Sequence, residues 1–409
     1  MQRETRWPEY AELAALYFIH AMAMGMWFVP LATVLPAFGY GGITSLVFAT
    51  SAVAAFISPL IFGALADRHL APVRVLRWLS LATAGAMALA TTAISQRWGV
   101  GWVLVFCQLH ALCSAPTWSI STTIVLSRLS DAKREFGPIR AMATFGWMVG
   151  CWIIGWMSAD RSALAGYGGV TVWLLMTLFT FALPVVHPPA STEKPTWAQR
   201  LGLDAWSLLR NRDDRVVFIT AALFNMPLAA FYLVTPTHLQ QLGLEKTSSW
   251  MTLGQVTEII AMIGLAGLLT RFRLKWIFLT GIAIACLRYV LCAMDGVGWL
   301  LAGVTLHGFA FTLFYITAQL YLEQRIDPAF RGRAQALLQL MLGGVGNLLG
   351  YLGTEVWFKA TTVAGKTDWP LFWHGLAAAV ALVFVFFAVL YRGRKETTKS
   401  ASHLGAELS

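Results

Sequence analysis

Long apolar segments recur along the whole chain, and they are the feature that most limits how it can fold. A run of about 20 apolar residues can cross the hydrocarbon core of a bilayer as an α-helix, in which the backbone polar groups are satisfied internally. With 57% hydrophobic and only 12% charged residues, the chain carries more apolar surface than one soluble core could bury. The sequence therefore predicts an all-α membrane protein with 12 transmembrane helices, near residues 12–37, 43–66, 75–95, 101–126, 139–159, 168–187, 216–239, 248–269, 276–294, 298–323, 334–357 and 370–391.

Basic residues are concentrated on one side of the predicted spans. Most of the 30 Lys and Arg residues fall in the loops on the side that also holds both chain termini. The exceptions are one residue inside a span, Arg288, and those on the opposite side, Arg97, Arg161, Lys246, Lys359 and Lys366. Because loops rich in Lys and Arg stay in the cytoplasm, we predict cytoplasmic termini and a multi-pass protein of the cytoplasmic (inner) membrane. The net charge of +10 then reflects orientation in the lipid bilayer, and we expect no nucleic acid partner.

A long polar connection at residues 188–215 divides the predicted spans into two sets of six. Its second part has the pattern of an amphipathic helix, with Trp197, Leu201, Trp206 and Leu209 on one side, which either lies along the inner leaflet or only tethers the halves. We predict six-helix bundles at 1–187 and 216–392, joined by this cytoplasmic linker, and a disordered cytoplasmic tail at 393–409. Paired six-helix units are typical of secondary transporters, whose substrate site lies between the halves.

The loop between spans 2 and 3 contains a patterned set of charges. In "GALADRHLAPVR", Gly63 lets neighbouring helices approach closely, and Asp67 with Arg68 and Arg74 can form a charge latch that breaks and re-forms as two halves move. This pattern resembles the signature loop of the major facilitator superfamily. The resemblance implies the major facilitator fold, in which both six-helix bundles move about a central cavity.

A carboxylate in the eighth span is the most unexpected polar group in the sequence. In "MTLGQVTEII", Glu258 lies at the midpoint of the span, with Gln255 and Thr252 on the same helical face. An ionised side chain at this depth costs several kcal/mol, so it normally faces a cavity or a partner. Burial favours the neutral form of a carboxyl group, so Glu258 can also bind and release a proton. The alternative is a structural salt bridge with Arg288 in the ninth span.

Two other spans carry polar and aromatic side chains at helical spacing. Span 5 has Arg140, Thr144 and Trp147, and span 10 has a stripe that begins with His307, Phe311, Tyr315 and continues to Gln319 and Glu323. Carboxylate and amide groups can bind hydroxyls or ring nitrogens, and aromatic rings can stack on a flat ligand. Core packing would also account for such aromatics. The position of Arg140 alone is equally consistent with a cytoplasmic anchor of the span.

Several segments together resemble the nucleoside:proton symporter family of the major facilitator superfamily. They are "APTWSIS", "GPIRAMATFGW", "MPLAAFYLVTPTHLQQLGLEKTSSWMTLGQVTEIIAMIGL", "ACLRYVLCA" and "HGFAFTLFYITAQLYLEQ", and they cover most of the chain. The resemblance implies import of nucleosides with protons by alternating access. It implies nucleoside binding by Gln255 and Glu258, by the span 5 residues Arg140, Thr144 and Trp147, and by His307 and Phe311.

The sequence also departs from that family. Thr312 stands where the characterised members have an aspartate used in proton coupling, which leaves Glu258 as the expected proton carrier. Tyr232 occupies the position of a ligand-binding Asn in span 7, and we include it with Tyr315 among the predicted binding residues.

Other functions remain open at the level of the residues alone. A proton-coupled transporter of a sugar or an aromatic acid, or a membrane sensor that does not transport, would carry the same spans. An enzyme is not expected, because no nucleophile triad, phosphate-binding glycine loop or metal cluster is apparent. The 5 cysteines all lie in predicted spans without a CxxC pair and are interpreted as apolar fillers. We expect no metal, no cofactor and a monomer.

Overall fold

The computed structural model describes residues 7–66, 71–130, 132–185, 196–200, 203–327 and 331–393 of the chain. In the first half the helices are α1 (Trp7–Phe28), α2 (Leu31–Ala37), α3 (Thr44–Ala66), α4 (Pro72–Ser95), α5 (Val100–Arg128), α6 (Ala132–Trp156) and α7 (Ala163–Phe179), with a 3₁₀ turn at Gly41–Ile43. The first predicted span is divided into α1 and α2, because Pro30 has no backbone N–H with which to continue the hydrogen bonds of α1.

The second half begins after the connection between the halves. Its elements are α8 (Trp197–Arg200), a 3₁₀ helix at Leu203–Arg210, α9 (Arg212–Gln241), α10 (Thr247–Met251), α11 (Leu253–Arg271), α12 (Leu274–Cys292), α13 (Val297–Phe311), a π-helical segment Thr312–Ile316, α14 (Thr317–Arg325), α15 (Arg331–Gln339), a second π-helical segment Leu340–Gly346, α16 (Asn347–Ala360) and α17 (Trp369–Leu390). A two-stranded antiparallel hairpin, β1 (Thr362–Val363) and β2 (Lys366–Thr367), precedes α17.

The surface of the helices is as apolar as a bilayer requires. Within the described residues, 9 helical segments are long and apolar enough to cross a membrane, and α7 is a shorter apolar helix. Large apolar side chains lie on the outside of these helices; Ile263 and Leu382, for example, are 78% and 72% exposed. Such side chains on a helix surface indicate contact with lipid rather than with water.

The helices pack within two groups that meet along a limited set of contacts. In the first half, α1 packs on α6 and α7, while α4 packs on α5 and α7. In the second half, α12 packs on α13 and α17, α11 packs on α13, and α9 packs on α16 and α17. The groups meet where α3 contacts α16 and the π-helical segment before it, where α10 contacts α6, and where α2 contacts α9.

One close approach of helix backbones has particular importance for the position of Glu258. A Cβ atom added at Gly308 in α13 would overlap the backbone nitrogen of Glu258 and the backbone oxygen of Gly254, both in α11. Helices approach this closely only where a glycine has no side chain to separate them. The absence of a side chain at Gly308 therefore fixes the spacing between the two helices that carry Glu258 and His307.

Several predictions fall at the edges of the described residues. Asp67 and Arg68 of the predicted charge latch lie outside them, whereas Gly63 lies in α3 and Arg74 is an exposed residue of the first turn of α4. The described part of the linker forms α8 and a 3₁₀ helix, and Trp197 and Trp206 are exposed there. Leu201 and the tail from residue 394 onward lie outside the described residues.

Candidate functional site

Glu258 lies at the contact between the two halves of the molecule. It is a residue of α11 and is only 8% exposed. The hydroxyl of Thr144 in α6 donates to its Oε1 across a distance of 3.4 Å, and the positive charge of Arg140, also in α6, acts on the carboxylate. The alternative pairing with Arg288 is wrong, because the described residues contain no ion pair between these two side chains, and Arg288 contacts His307 instead.

Gln255, one turn before Glu258, begins a chain of side-chain hydrogen bonds. Its Nε2 lies 3.0 Å from the hydroxyl oxygen of Tyr232 in α9. That hydroxyl lies 3.1 Å from Nε2 of His307 in α13, and Nδ1 of His307 lies 2.7 Å from Nη1 of Arg288 in α12. Four helices of the second half are thereby connected at the depth of Glu258.

The stripe predicted on span 10 forms a column of rings. The rings of His307 and Phe311 are 6.1 Å apart with an interplanar angle of 27°, and those of Phe311 and Tyr315 are 4.6 Å apart at 16°. Phe231 of α9 also stacks on His307, with centroids 4.3 Å apart. The hydroxyl of Tyr315 is hydrogen-bonded to Gln339, so the column is held at both ends. Such a column offers flat surfaces to an aromatic ligand.

The first half contributes Trp147 and Arg140 opposite this column. The ring of Trp147 lies 6.4 Å from that of Tyr232 and 5.9 Å from that of Phe28. Its indole Nε1 is buried and has no hydrogen-bond acceptor among the described residues, so it can donate to a ligand. The guanidinium of Arg140 lies 4.9 Å from the ring centre of Trp118 in α5, within the range of a cation–π contact.

A cavity of about 240 Å³ adjoins these residues inside the first half. It lies between α1, α3, α5 and α7, and most of its lining side chains are apolar or aromatic. Phe28 and Trp118 belong both to its wall and to the surroundings of Trp147 and Arg140. Phe28 was not predictable from the sequence, because a phenylalanine in a long apolar helix is indistinguishable from a packing residue.

The helices are irregular at the residues that surround Glu258. The chain between α10 and α11 turns at Thr252, whose hydroxyl oxygen accepts a hydrogen bond of 3.0 Å from the indole of Trp152 in α6. The π-helical segment Thr312–Ile316 begins immediately after Phe311. Thr312 is fully buried, and its hydroxyl lies 3.5 Å from the backbone oxygen of Glu258. Short π-helical segments within α-helices are frequent at functional sites.

A second buried carboxylate joins the halves at a different level. Asp160 follows α6 and is 5% exposed. Its Oδ1 accepts hydrogen bonds from the backbone N–H of Ser248 at 2.7 Å and from the hydroxyl of Thr247 at 3.1 Å, both at the start of α10. The hydroxyl of Thr33 donates to the backbone oxygen of Asp160. This contact closes the interface at the end of α6 that is remote from the N-terminus of α1.

Comparison with known proteins agrees with these features. The family model described as Nucleoside H+ symporter matches residues 9–396. YegT of Escherichia coli (strain K12), named as a nucleoside transporter, is 31% identical over 406 residues, covering 93% of each chain. The xanthosine permease of the same organism is 26% identical over 411 residues, covering 95% of this chain and 97% of the permease.

The fold has a clear counterpart among solved structures. The crystal structure of the nucleoside transporter NupG superposes with a TM-score of 0.82 at 23% sequence identity, covering 94% of this chain and 99% of NupG. The architecture is therefore that of the major facilitator fold, and the protein is a multi-pass membrane transporter rather than an enzyme. The chain belongs to the nucleoside H+ symporter family, whose members import nucleosides together with protons by alternating access.

Proposed function

We propose that the nucleoside binds between α6 of the first half and α11 and α13 of the second, in contact with Glu258. The observation that carries this proposal is the position of that buried carboxylate, which takes a hydrogen bond from Thr144 across the contact between the halves. A carboxylate in such a place can accept hydrogen bonds from the ribose hydroxyls. Gln255 and Tyr232 supply further polar groups within hydrogen-bonding range of one another.

The base of the nucleoside is held by aromatic rings in this proposal. Trp147 from the first half and Phe311 from the second supply flat faces, and His307 and Tyr315 extend the column on either side of Phe311. Stacking tolerates different bases, because every base has a π face. The indole N–H of Trp147, which has no acceptor in the described part of the chain, adds one hydrogen-bond donor that can distinguish the polar edges of different bases.

Glu258 also carries the proton. In its ionised form the carboxylate is attracted by Arg140 and bound by Thr144, so α6 and α11 are held together. Protonation removes the charge and with it the attraction, so the contact between the two halves weakens. One group thereby responds to the proton and to the relative position of the halves, which is the requirement for coupling.

The rest of the molecule supplies the moving parts. In this proposal the two bundles that move are residues 1–187 and 216–392, joined by the cytoplasmic linker at 188–215 and followed by the tail at 393–409. Gly63, Asp67, Arg68 and Arg74 form a charge latch that breaks and re-forms as the bundles move. The excess of basic residues on the side of the termini supports cytoplasmic termini and a location in the inner membrane. In this proposal a single chain, surrounded by lipid, is the transporting unit.

Uptake into proteoliposomes tests the proposed function directly. The purified chain is reconstituted, and accumulation of radiolabelled uridine is measured with and without an inward proton gradient. We expect accumulation that depends on the gradient and is reduced by other nucleosides but not by glucose or benzoate. Uptake of a sugar or an aromatic acid in place of nucleosides would overturn the assignment, and so would uptake that is indifferent to the gradient.

A further inference from the structure

Arg288 is a buried cation without a carboxylate partner in the described part of the chain. It lies in α12, its side chain is fully buried, and it forms no ion pair there. The rings of Phe231 and Tyr289 lie over its guanidinium, at 4.7 and 4.3 Å from their centres, and offset part of the cost of burial. Because a buried charge costs several kcal/mol when it has no counter-charge, a structural role alone does not explain an arginine here.

The contact between Arg288 and His307 fixes the hydrogens of the imidazole. A guanidinium group has donors and no acceptor, so Nδ1 of His307, 2.7 Å from Nη1, must carry a lone pair. Turning the ring over would place carbon atoms against both of its partners. The hydrogen of the neutral ring is therefore on Nε2, which donates to the hydroxyl oxygen of Tyr232 at 3.1 Å.

The direction of donation, from Arg288 to His307 to Tyr232, determines which hydrogens remain at Tyr232 and Gln255. The hydroxyl oxygen of Tyr232 accepts from His307, so its own hydrogen is free to point elsewhere. If the amide nitrogen of Gln255 donates to Tyr232, as its 3.0 Å contact indicates, the tyrosine hydrogen is left over. If the amide is turned, the tyrosine donates to the amide oxygen and the amide hydrogens are left over. In both arrangements a donor on Tyr232 or Gln255, one helical turn from Glu258, is left without an acceptor among the described residues.

We propose that Arg288 is a positioning residue for the nucleoside site, because it fixes the direction of the hydrogen bonds through His307 and Tyr232 so that they end in a donor. The ligand atom at that end is then an acceptor, such as a ribose hydroxyl oxygen or a base carbonyl. This inference rests on the proposed function of the same site. Without a group at position 288 that only donates, the direction of these hydrogen bonds can reverse, and the end near Gln255 then presents an acceptor to the ligand.

Three substitutions separate this role from a structural one. Arg288→Lys keeps a group that only donates, Arg288→Gln introduces a group that both donates and accepts, and Arg288→Met removes the hydrogen bond. Full-length variants in detergent are compared for the Kd of uridine by isothermal titration calorimetry, after size-exclusion chromatography has shown that they are folded. Lys275→Met removes another cation of α12, which donates to the backbone oxygen of Ala388, and serves as the control.

We expect the lysine variant and the control to bind uridine within about twofold of the original chain. The glutamine and methionine variants should bind about three- to tenfold more weakly, as the loss of one hydrogen bond implies. If the methionine variant does not fold, the Kd of uridine for Arg288→Gln is compared with that for Arg288→Lys, and this comparison alone tests the inference. Equal affinity of these two variants would overturn the inference.

A double-mutant cycle with Tyr232→Phe tests whether Arg288 acts through the tyrosine. In the Tyr232→Phe background, Arg288→Gln should change the Kd less than twofold, because the donor is already absent. Additive effects would mean that Arg288 acts by its charge or by packing, and the inference would be wrong. If the unsubstituted chain binds no nucleoside, the proposed function fails instead, so the two failures are distinguishable.

Discussion

Glu258→Gln is the substitution that most directly separates binding from proton coupling. The glutamine has nearly the same volume as the glutamate and keeps one acceptor oxygen near Thr144, but it carries neither the charge nor a titratable proton. Hydrogen bonds to a charged group contribute about 1.5 to 3 kcal/mol, against about 1 kcal/mol for neutral groups. Since about 1.4 kcal/mol corresponds to a tenfold change, we expect the affinity for uridine to fall about tenfold.

The effect on accumulation should be much larger than the effect on binding. A proton gradient equivalent to 100 mV provides about 2.3 kcal/mol per proton, which supports an accumulation of about 50-fold when one proton moves with each nucleoside. The Glu258→Gln variant cannot carry this proton, so we expect its internal uridine concentration to rise no higher than the external one. Exchange of internal for external uridine needs no net proton movement and should continue.

The assay compares gradient-driven uptake with exchange in the same preparation of proteoliposomes. Glu323→Gln is a suitable control, because Glu323 is another acidic residue of the second half whose side chain is 51% exposed beside Arg331. Its uptake should equal that of the original chain. Gradient-driven accumulation by Glu258→Gln at the original level would refute the assignment of Glu258 as proton carrier.

Three further substitutions test other parts of the structure. Gly308→Ala should lower Tm, by an overpacking cost of about 1 to 3 kcal/mol, because its Cβ meets the backbone of α11, whereas Gly264→Ala in open space should leave the melting curve unchanged. Asp160→Asn weakens the charge-assisted contact with the start of α10 by about 1 kcal/mol, so the form in which α6 and α10 are apart should be about fivefold more populated. The rate of thiol labelling of a cysteine in the cavity measures this population, and an unchanged rate would contradict the prediction. Thr312→Asp places a second carboxyl beside Glu258, and the proton-to-nucleoside ratio from null-point flux measurements should rise; the same ratio in a folded variant would contradict it.

The course of the helices was largely predictable from the sequence, because hydropathy reports directly on the bilayer. Most predicted spans overlap helices or consecutive helices of the structure, but α7 ends at Phe179, whereas the sixth span was predicted to continue to residue 187. The position of Gln255 and Glu258 on one face of α11 followed from helical spacing alone. The turn at Thr252 and the two π-helical segments were not predictable. They depend on contacts with other helices, such as that between Thr252 and Trp152, and the local sequence contains no equivalent signal.

The partners of the buried polar groups were the least predictable part of the site. Arg288 and Glu258 are similarly deep in their spans, so the sequence allows a salt bridge between them as an alternative, but in the structure Nη1 of Arg288 lies 2.7 Å from Nδ1 of His307. Asp160 gave no signal either, since an aspartate in a short loop usually faces water. Its burial follows from the way α10 begins opposite the end of α6, which is a relation between the halves rather than a property of either sequence segment.

The contact at Gly308 determines which parts of the site travel together. Helices whose backbones touch cannot slide past each other without first separating, so we expect α11 and α13 to move together and to keep the carboxyl of Glu258 and the ring of Phe311 in the same relative position. A ligand bound to Glu258 and Phe311 would keep its contacts with α11 and α13 during transport, while Thr144 and Trp147 of α6 move toward it and away from it. The contacts that recognise the nucleoside would thus persist through the transport cycle, and only the access of the site to either side of the membrane would change.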